Sequence, residues 1–323
     1  MPKKPHAAFP NPAATLPGEA DILANVLADL SDHDAKLVYA DWLEERDDPR
    51  GPLLRNFVAA YRAGKKALPV VNTAPKPWRD LVGITLMRKL RDTDFAPLAN
   101  ELLALARPTI ALKSTKVAEK SLAVGTSRLG GGADLPPGAE WPTAGARPLA
   151  FLGQFNFAEL AVSPVVRELP ATGLLSVFFD HERAFEFFNS AKLPDNRWRV
   201  RHITDTKKLT RHRPPGTEVW SHRIEFVEQL TLPDLESPAG RALAKTVADE
   251  GDYYSLLQYT NPHDNLLGYP LTIHGDVLGK KDVRHLLALV RAPHDWPNVF
   301  FTIGADDLKA QRFDRAKLKF DRE

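Results

Sequence analysis

The sequence predicts an α+β protein: a small N-terminal helical bundle followed by a larger, mainly β domain with a few short helices. Three observations carry that class. Between Glu19 and Gly64 apolar residues recur at the i, i+3, i+4, i+7 spacing of a half-buried helix. From Thr109 onward the pattern changes to short apolar or alternating runs bounded by Gly, Pro and Asp. Helices gathered before strands, with no internal repeat, point to α+β rather than to a parallel α/β fold or a solenoid.

Taken in order, residues 1–18 carry five prolines and no apolar run, and are expected to form a disordered tail. A first helix starts near Glu19, with Leu23, Val26, Leu27 and Leu30 on one face. Ser31 and Asp34 have capping-box spacing and begin a second helix, whose apolar face is Ala35, Val38, Tyr39, Trp42 and Leu43. Asp47-Asp48-Pro49-Arg50-Gly51 stops it. A third helix carries Leu54, Phe57, Val58 and Tyr61 and closes at Gly64. Residues 19–66 thus form a mini-bundle. Residues 67–108 form a connector, with a proline-bearing linker over Lys65–Pro77 and helices over Trp78–Arg91 and Phe95–Arg107. Strands are expected at Thr109–Lys113, Leu149–Phe155, Leu174–Phe179, Trp198–Ile203, Val219–Gln229, Tyr253–Tyr259, His285–Arg291 and Val299–Ile303. One helix interrupts them, capped by Ser237 with Pro238 at its first position and ended by Gly251. A short last helix starts at Asp306-Asp307.

The most informative stretch is Ser127–Gln154, where Gly130-Gly131-Gly132-Ala133-Asp134-Leu135-Pro136-Pro137 leads through Glu140-Trp141-Pro142 to Pro148-Leu149-Ala150-Phe151-Leu152-Gly153-Gln154. The glycines permit backbone angles closed to other residues. The two prolines forbid a helix directly afterwards, so the loop lacks the helix N-terminus that phosphate-binding glycine loops need. Together with Leu169-Pro170, Thr172-Gly173-Leu174-Leu175-Ser176-Val177-Phe178-Phe179-Asp180, Leu266-Leu267-Gly268-Tyr269-Pro270 and Val299-Phe300-Phe301-Thr302-Ile303, this stretch resembles the bacterial YwqG-like family, a domain of unknown function, over residues 109–323. The resemblance implies a compact, mainly antiparallel β domain of α+β class and supplies no catalytic residues. Some relatives carry paired cysteines between the Trp-Pro and the next strand; here Thr143–Arg147 has none. A second resemblance covers about residues 20–62. Leu37-Val38-Tyr39-Ala40-Asp41-Trp42-Leu43-Glu44-Glu45-Arg46, followed by Asp48-Pro49-Arg50-Gly51, is similar to the bacterial repeat-companion domain, whose recurrence on unrelated partners implies an adaptor role.

Composition narrows the function classes. The chain has 323 residues, 26% charged, with a formal net charge of +2, so no bulk attraction to nucleic acid or membrane is implied. Cysteine is absent, which excludes disulfides, thiolate metal sites and cysteine nucleophiles. No apolar run approaches the ~20 residues of a membrane span, and the N-terminus lacks a signal peptide, so a cytoplasmic protein is expected. Between Glu19 and Gly64 ten acidic residues face five basic ones. Tyr39, Asp41, Trp42 and Glu45 of this acidic head are the candidate contacts for a protein partner.

Arg197–Arg223 holds eight Lys or Arg residues against two acids. Strand alternation there puts Trp198, Val200 and His202 on one face and Arg197, Arg199 and Arg201 on the other, about 7 Å apart. Arg199 and Arg201, with Arg128, are the candidate ligands for an anion; nucleic acid is the weaker version, because no RNA- or DNA-binding motif is present. Among the ten histidines none has helical i, i+4 His spacing, and neither a metal site nor a cofactor is expected. The histidine–acid neighbours Asp180-His181-Glu182, His263-Asp264, His274-x-Asp276 and His294-Asp295 are the places where one could hide. No Gly-x-Ser-x-Gly elbow occurs. Were the chain a hydrolase, its site would be assembled from loops around Ser127–Asp134, Asp180 and His263–Tyr269, with Asp180 and His263 as catalytic candidates. The reading favoured by these features is non-catalytic binding, an adaptor head joined to a recognition domain, in a regulatory or conflict-type pathway.

Overall fold

The computed structural model describes residues 8–180, 194–214, 220–273, 275–290 and 298–320. The class is α+β, N-terminal helices with one large antiparallel sheet. Helices α1 (Glu19–Ala28), α2 (His33–Glu44) and α3 (Arg50–Arg62) form the head, and α4 (Lys76–Leu81), α5 (Ile84–Arg91) and α6 (Ala99–Leu105) the connector. The helix expected over Trp78–Arg91 is split at Gly83, whose φ of 85° lets α5 restart at a new angle.

Strands β1 (Arg107–Val117), β2 (Arg128–Gly130), β6 (Ala150–Asn156), β7 (Leu174–Phe179), β8 (Trp198–Ile203), β10 (Ser221–Thr231), β11 (Asn265–Leu266), β12 (Val283–Leu289), β13 (Val299–Gly304) and β14 (Lys317–Phe320) make a ten-stranded sheet in the order β14-β13-β12-β11-β1-β10-β2-β6-β7-β8. Its spine is the antiparallel pair β1 and β10, in register from Arg107↔Thr231 to Val117↔Ser221. Two small ladders, β3 (Ala133–Leu135) with β9 (Thr210–His212) and β4 (Thr143–Ala144) with β5 (Arg147–Pro148), cover part of the second face. There Leu135, Leu149, Phe151 and Phe178 form a separate apolar cluster with Trp141 against it. The sheet curls until its two edges meet without a ladder: Trp198 Nε1 of β8 donates to Ala316 O at 3.0 Å, and Phe179 lies 5.5 Å from Phe320 of β14. The result is a near-barrel with one open seam.

The main core is continuous from the head to the sheet, running from Leu23, Leu43 and Phe57 through Trp78 and Leu90 to Ile224, Phe226 and Leu230. Five expectations change accordingly. Residues 8–18 are not a disordered tail. Because β2 spans only the first three residues of β10, the free side of β10 accepts this segment, with Phe226 N donating to Ala8 O and Phe9 packing on Phe226. The cap of α2 is Asp32, whose carboxylate accepts from Asp34 N and Ala35 N, while Ser31 bonds Asp29. The buried face of α2 is rotated by one residue to Lys36, Tyr39, Ala40 and Leu43, leaving Val38 55% exposed. Ser237 starts a run of turns and a short 3-10 piece (Leu243–Lys245) instead of an α-helix, because the Gly240 backbone lies against Asp234 O.

The fifth change concerns Tyr253–Tyr259, expected as a strand. Phe157–Leu160 forms the single turn α7, and Tyr253–Tyr259 lies in α8 (Glu250–Thr260), capped by Asp249, with Gly251 in its first turn. Tyr253, Leu256, Leu257 and Thr260 are buried at i, i+3, i+4, i+7, so helical periodicity overrides the β preference of the tyrosines. The short helix at Asp306-Asp307 is present as α9 (Ala305–Lys309). Among the described residues no helix is long and apolar enough to cross a membrane.

Candidate functional site

Arg199 and Arg201 lie on β8, the edge strand at the seam. Trp198 and Val200 point into the main core, as the alternation requires, and the arginines take the opposite face. Arg199 is tied locally, donating to Asp195 O and Trp198 O, while Arg201 donates to Glu140 O at 2.7 Å and lies 6.0 Å over the Phe178 ring. Arg201 also lines a cleft of about 480 Å³ at the seam, with Leu135, Pro136, Val200, His202 and Phe313 among its walls. Burial, and then the neighbouring Arg199 charge, lower the Arg201 pKa, and the charge of an anion in the cleft would act against that lowering. His202 packs edge-on between Phe157 and Phe313 at 5.4 and 5.1 Å. Burial lowers its pKa, opposed by a hydrogen bond to the Thr172 backbone, so the imidazole is neutral near pH 7 and the cleft's positive charge is that of Arg201.

Arg128 belongs to a different environment. It is fully buried, its guanidinium donating to Gly132 O and, at 2.7 Å, to Asp134 Oδ2, so it faces the interior and not a ligand. Gln154 Nε2 and Gly125 N also donate to that carboxylate, and Arg211 reaches it from β9 at 3.0 Å. Burial pushes the Asp134 carboxyl up, but the hydrogen bonds from Arg128 and Arg211 outweigh it and hold it well below the usual carboxylate range. The glycines at this corner are a packing requirement. A Cβ on Gly132 would sit 2.6 Å from His212 O, and Gly132 N already donates to Glu119 Oε1, so a carboxylate of the chain fills the place an external anion would take.

The catalytic candidates do not converge. Asp180, 5% exposed, is ion-paired to Arg147 and Arg197 across the end of β7. His263 is half-buried beside β11, which stands five places from β7 in the sheet order, on the far side of the near-barrel. Between Asp264 and Tyr269 the polar groups serve the fold: Asn265 Nδ2 donates to Thr109 Oγ1 and to Leu267 O, and Asp264 Oδ1 accepts from Val290 N. A hydrolytic centre drawing on Ser127–Asp134, Asp180 and His263–Tyr269 therefore has no common point among the described residues. Among those residues no three metal-ligating side chains gather; His181, Glu182, His274, His294 and Asp295 lie outside them.

In the head, Tyr39 is removed from the candidate partner contacts because it is fully buried. Its hydroxyl donates to Glu19 Oε1 and accepts from Trp78 Nε1. Glu19 is itself buried, paired with Arg50 at 2.7 Å, and accepts from Thr15 N and Leu16 N; Arg50 also holds Asp48. Tyr39, Asp48 and Arg50 of the sequence motif thus lock three helices and the N-terminal segment around one buried carboxylate. Burial and the Glu19 charge push the Tyr39 phenol far above its ordinary range. Asp41 and Glu45 are exposed and Trp42 is half-buried under Arg46, 3.9 Å from its ring. Asp34, Val38, Asp41 and Glu45 stand at i, i+4, i+7 and i+11, an exposed stripe down α2 that the sequence reading did not separate from the buried face. Arg55 partly neutralises it through Asp41 and Glu44, and Arg62 through Asp34.

No curated protein matches this chain. Residues 127–321, from the first residues of the glycine corner to the end of β14, match a family described as Domain of unknown function (DUF1963), and the chain belongs to that family.

Proposed function

We propose that this chain is a non-catalytic binding protein of the bacterial cytoplasm, an adaptor whose head is a repeat-companion module and whose larger part is YwqG-like, serving a regulatory or conflict-type pathway. The observation that carries this reading is the division of labour within α2. Its inward residues are committed to the fold, Tyr39 to Glu19 and Lys36 to Leu30 O, and its outward stripe of Asp34, Val38, Asp41 and Glu45 is an acidic face around one exposed apolar side chain. Such a face suits a partner with a basic surface and a small apolar contact. The test must leave residues 1–66 in place, because the head shares its core with the sheet. Partners are captured from the native host with the full chain and with Val38→Lys/Asp41→Lys/Glu45→Lys. A protein held by the first and released by the second, at unchanged thermal stability, supports the adaptor. Capture of nothing, or of proteins indifferent to the substitutions, overturns it.

A second reading, an anionic small molecule held at the seam, is favoured by the position of Arg201 in the 480 Å³ cleft. It requires an affinity that falls with salt and disappears in Arg199→Ala/Arg201→Ala while the fold persists.

A further inference from the structure

The connector carries a cluster of cations that neither the head nor the seam explains. Arg79 of α4 and Arg88 and Lys89 of α5 line a cleft of about 260 Å³, together with Asn72, Thr85 and Tyr259. All three cations are half-buried, and none is paired with a carboxylate among the described residues. Arg79 Nη1 donates to the exposed Asn72 Oδ1 at 2.7 Å, while its Nε is buried without a partner. Arg88 donates to Pro69 O and stacks 5.3 Å over Phe57. Lys89 lies 5.0 Å over the ring of Tyr259, which projects from α8 with 56% of its surface exposed. Asp80, which lines the adjoining cleft, is already committed to Lys76 and to Thr85 Oγ1.

Cations in the last turns of α4 and α5 favour each helix's C-terminal dipole, but that does not require Arg79 and Arg88, from two different helices, to line one space, and it leaves the buried Arg79 Nε without a partner. Two guanidinium groups converging on one small space, with an ammonium beside them, match the several acceptor oxygens of a phosphate group. Thr85 and Tyr259 also line a second cleft of about 290 Å³, walled further by Leu86, Gln229, Leu230 and Thr260 and by the Lys76–Asp80 ion pair. Tyr259 thus stands between a cationic end and a mixed apolar and polar end.

We infer that this groove binds an organic phosphate monoester, its phosphate held by Arg79 and Arg88 with support from Lys89, and its ring or apolar body laid along Tyr259. The inference is independent of the adaptor reading, since none of these residues lies on α2.

Titration calorimetry on the full chain at low ionic strength, with phenyl phosphate, inorganic phosphate and phenol as probes, tests it. Phenyl phosphate should bind with one-to-one stoichiometry, at least about tenfold more tightly than inorganic phosphate, and phenol should not bind at millimolar concentration. Arg79, whose one side-chain partner among the described residues is the exposed Asn72, should on Arg79→Gln lose phenyl phosphate affinity by at least about tenfold. Tyr259→Ala, on an exposed residue, should bring phenyl phosphate down to the level of inorganic phosphate. Absence of saturable phenyl phosphate binding, equal affinities for phenyl phosphate and either simpler probe, or binding unchanged in Arg79→Gln each overturns the assignment. If Arg88→Gln fails to fold, Lys89→Gln replaces it, with a smaller loss expected.

Discussion

Acid should destabilise this protein through His285. The side chain lies on β12, 1% exposed, with Nδ1 3.0 Å from Leu267 O. Desolvation lowers its pKa from 6.5 to about 4, opposed only in part by hydrogen bonds to the Leu267 and Leu287 backbone. A depressed histidine pKa means that the unfolded chain binds a proton that the folded chain refuses. Stability from this group is complete above pH 6.5, and is lost as pH falls from 6.5 towards 4. Over that window the difference corresponds to about 3 kcal/mol, at a limiting slope of about 1.4 kcal/mol per pH unit. The assay is urea unfolding at a series of pH values on the wild type and on His285→Asn, whose amide can still donate to Leu267 O but does not titrate. The variant should start about 1–2 kcal/mol lower at neutral pH, for the lost volume, and its stability should fall less steeply below pH 6.5. Comparison of the two curves is needed because other groups titrate nearby. Burial also lowers His33, His202 and His222, which adds slope of the same sign, whereas the Glu228 carboxyl is raised by burial and contributes in the opposite sense. Parallel curves for wild type and variant would refute the reasoning, showing that His285 accepts its proton without unfolding.

Two further outcomes follow from the same packing. Glu19→Gln removes the carboxylate that Arg50, Tyr39 and two backbone amides share, leaving Arg50 buried with Asp48 as its one carboxylate among the described residues; a loss of roughly 3–5 kcal/mol is expected in chemical unfolding. Gly268→Ala places a Cβ 2.7 Å from Thr109 Cβ and Thr231 Oγ1 at a φ of 67°, so the loss should exceed the roughly 1 kcal/mol of a left-handed alanine and appear as a lowered melting temperature.

Much of the architecture was legible in the sequence because it rests on local periodicity. The stripes of α1 and α3, the alternation of β8 and the apolar runs of β7 and β13 each announce one element and the face it buries. The residues that form α8 carry the same kind of signal in Tyr253, Leu256, Leu257 and Thr260, whose i, i+3, i+4, i+7 spacing marks a helix where a strand is expected. The glycine corner was legible as a tight turn, and its reason is now visible in the approach of Gly132 to His212 O.

What only the tertiary structure decided concerns polar groups, whose burial depends on partners distant in sequence. Arg128 becomes a core residue because Asp134, Gln154 and Arg211 meet it there, the last from a strand 77 residues beyond Asp134. Tyr39 turns inward because Glu19 and Trp78 wait for it, and Lys36 is buried because its ammonium can reach Leu30 O. The seam cleft around Arg201 and the cationic groove around Arg79 are spaces between elements and leave no periodic trace. Periodicity records what each segment hides from water, whereas a site is made where segments converge, and the closing of the sheet and the docking of the helices settle that.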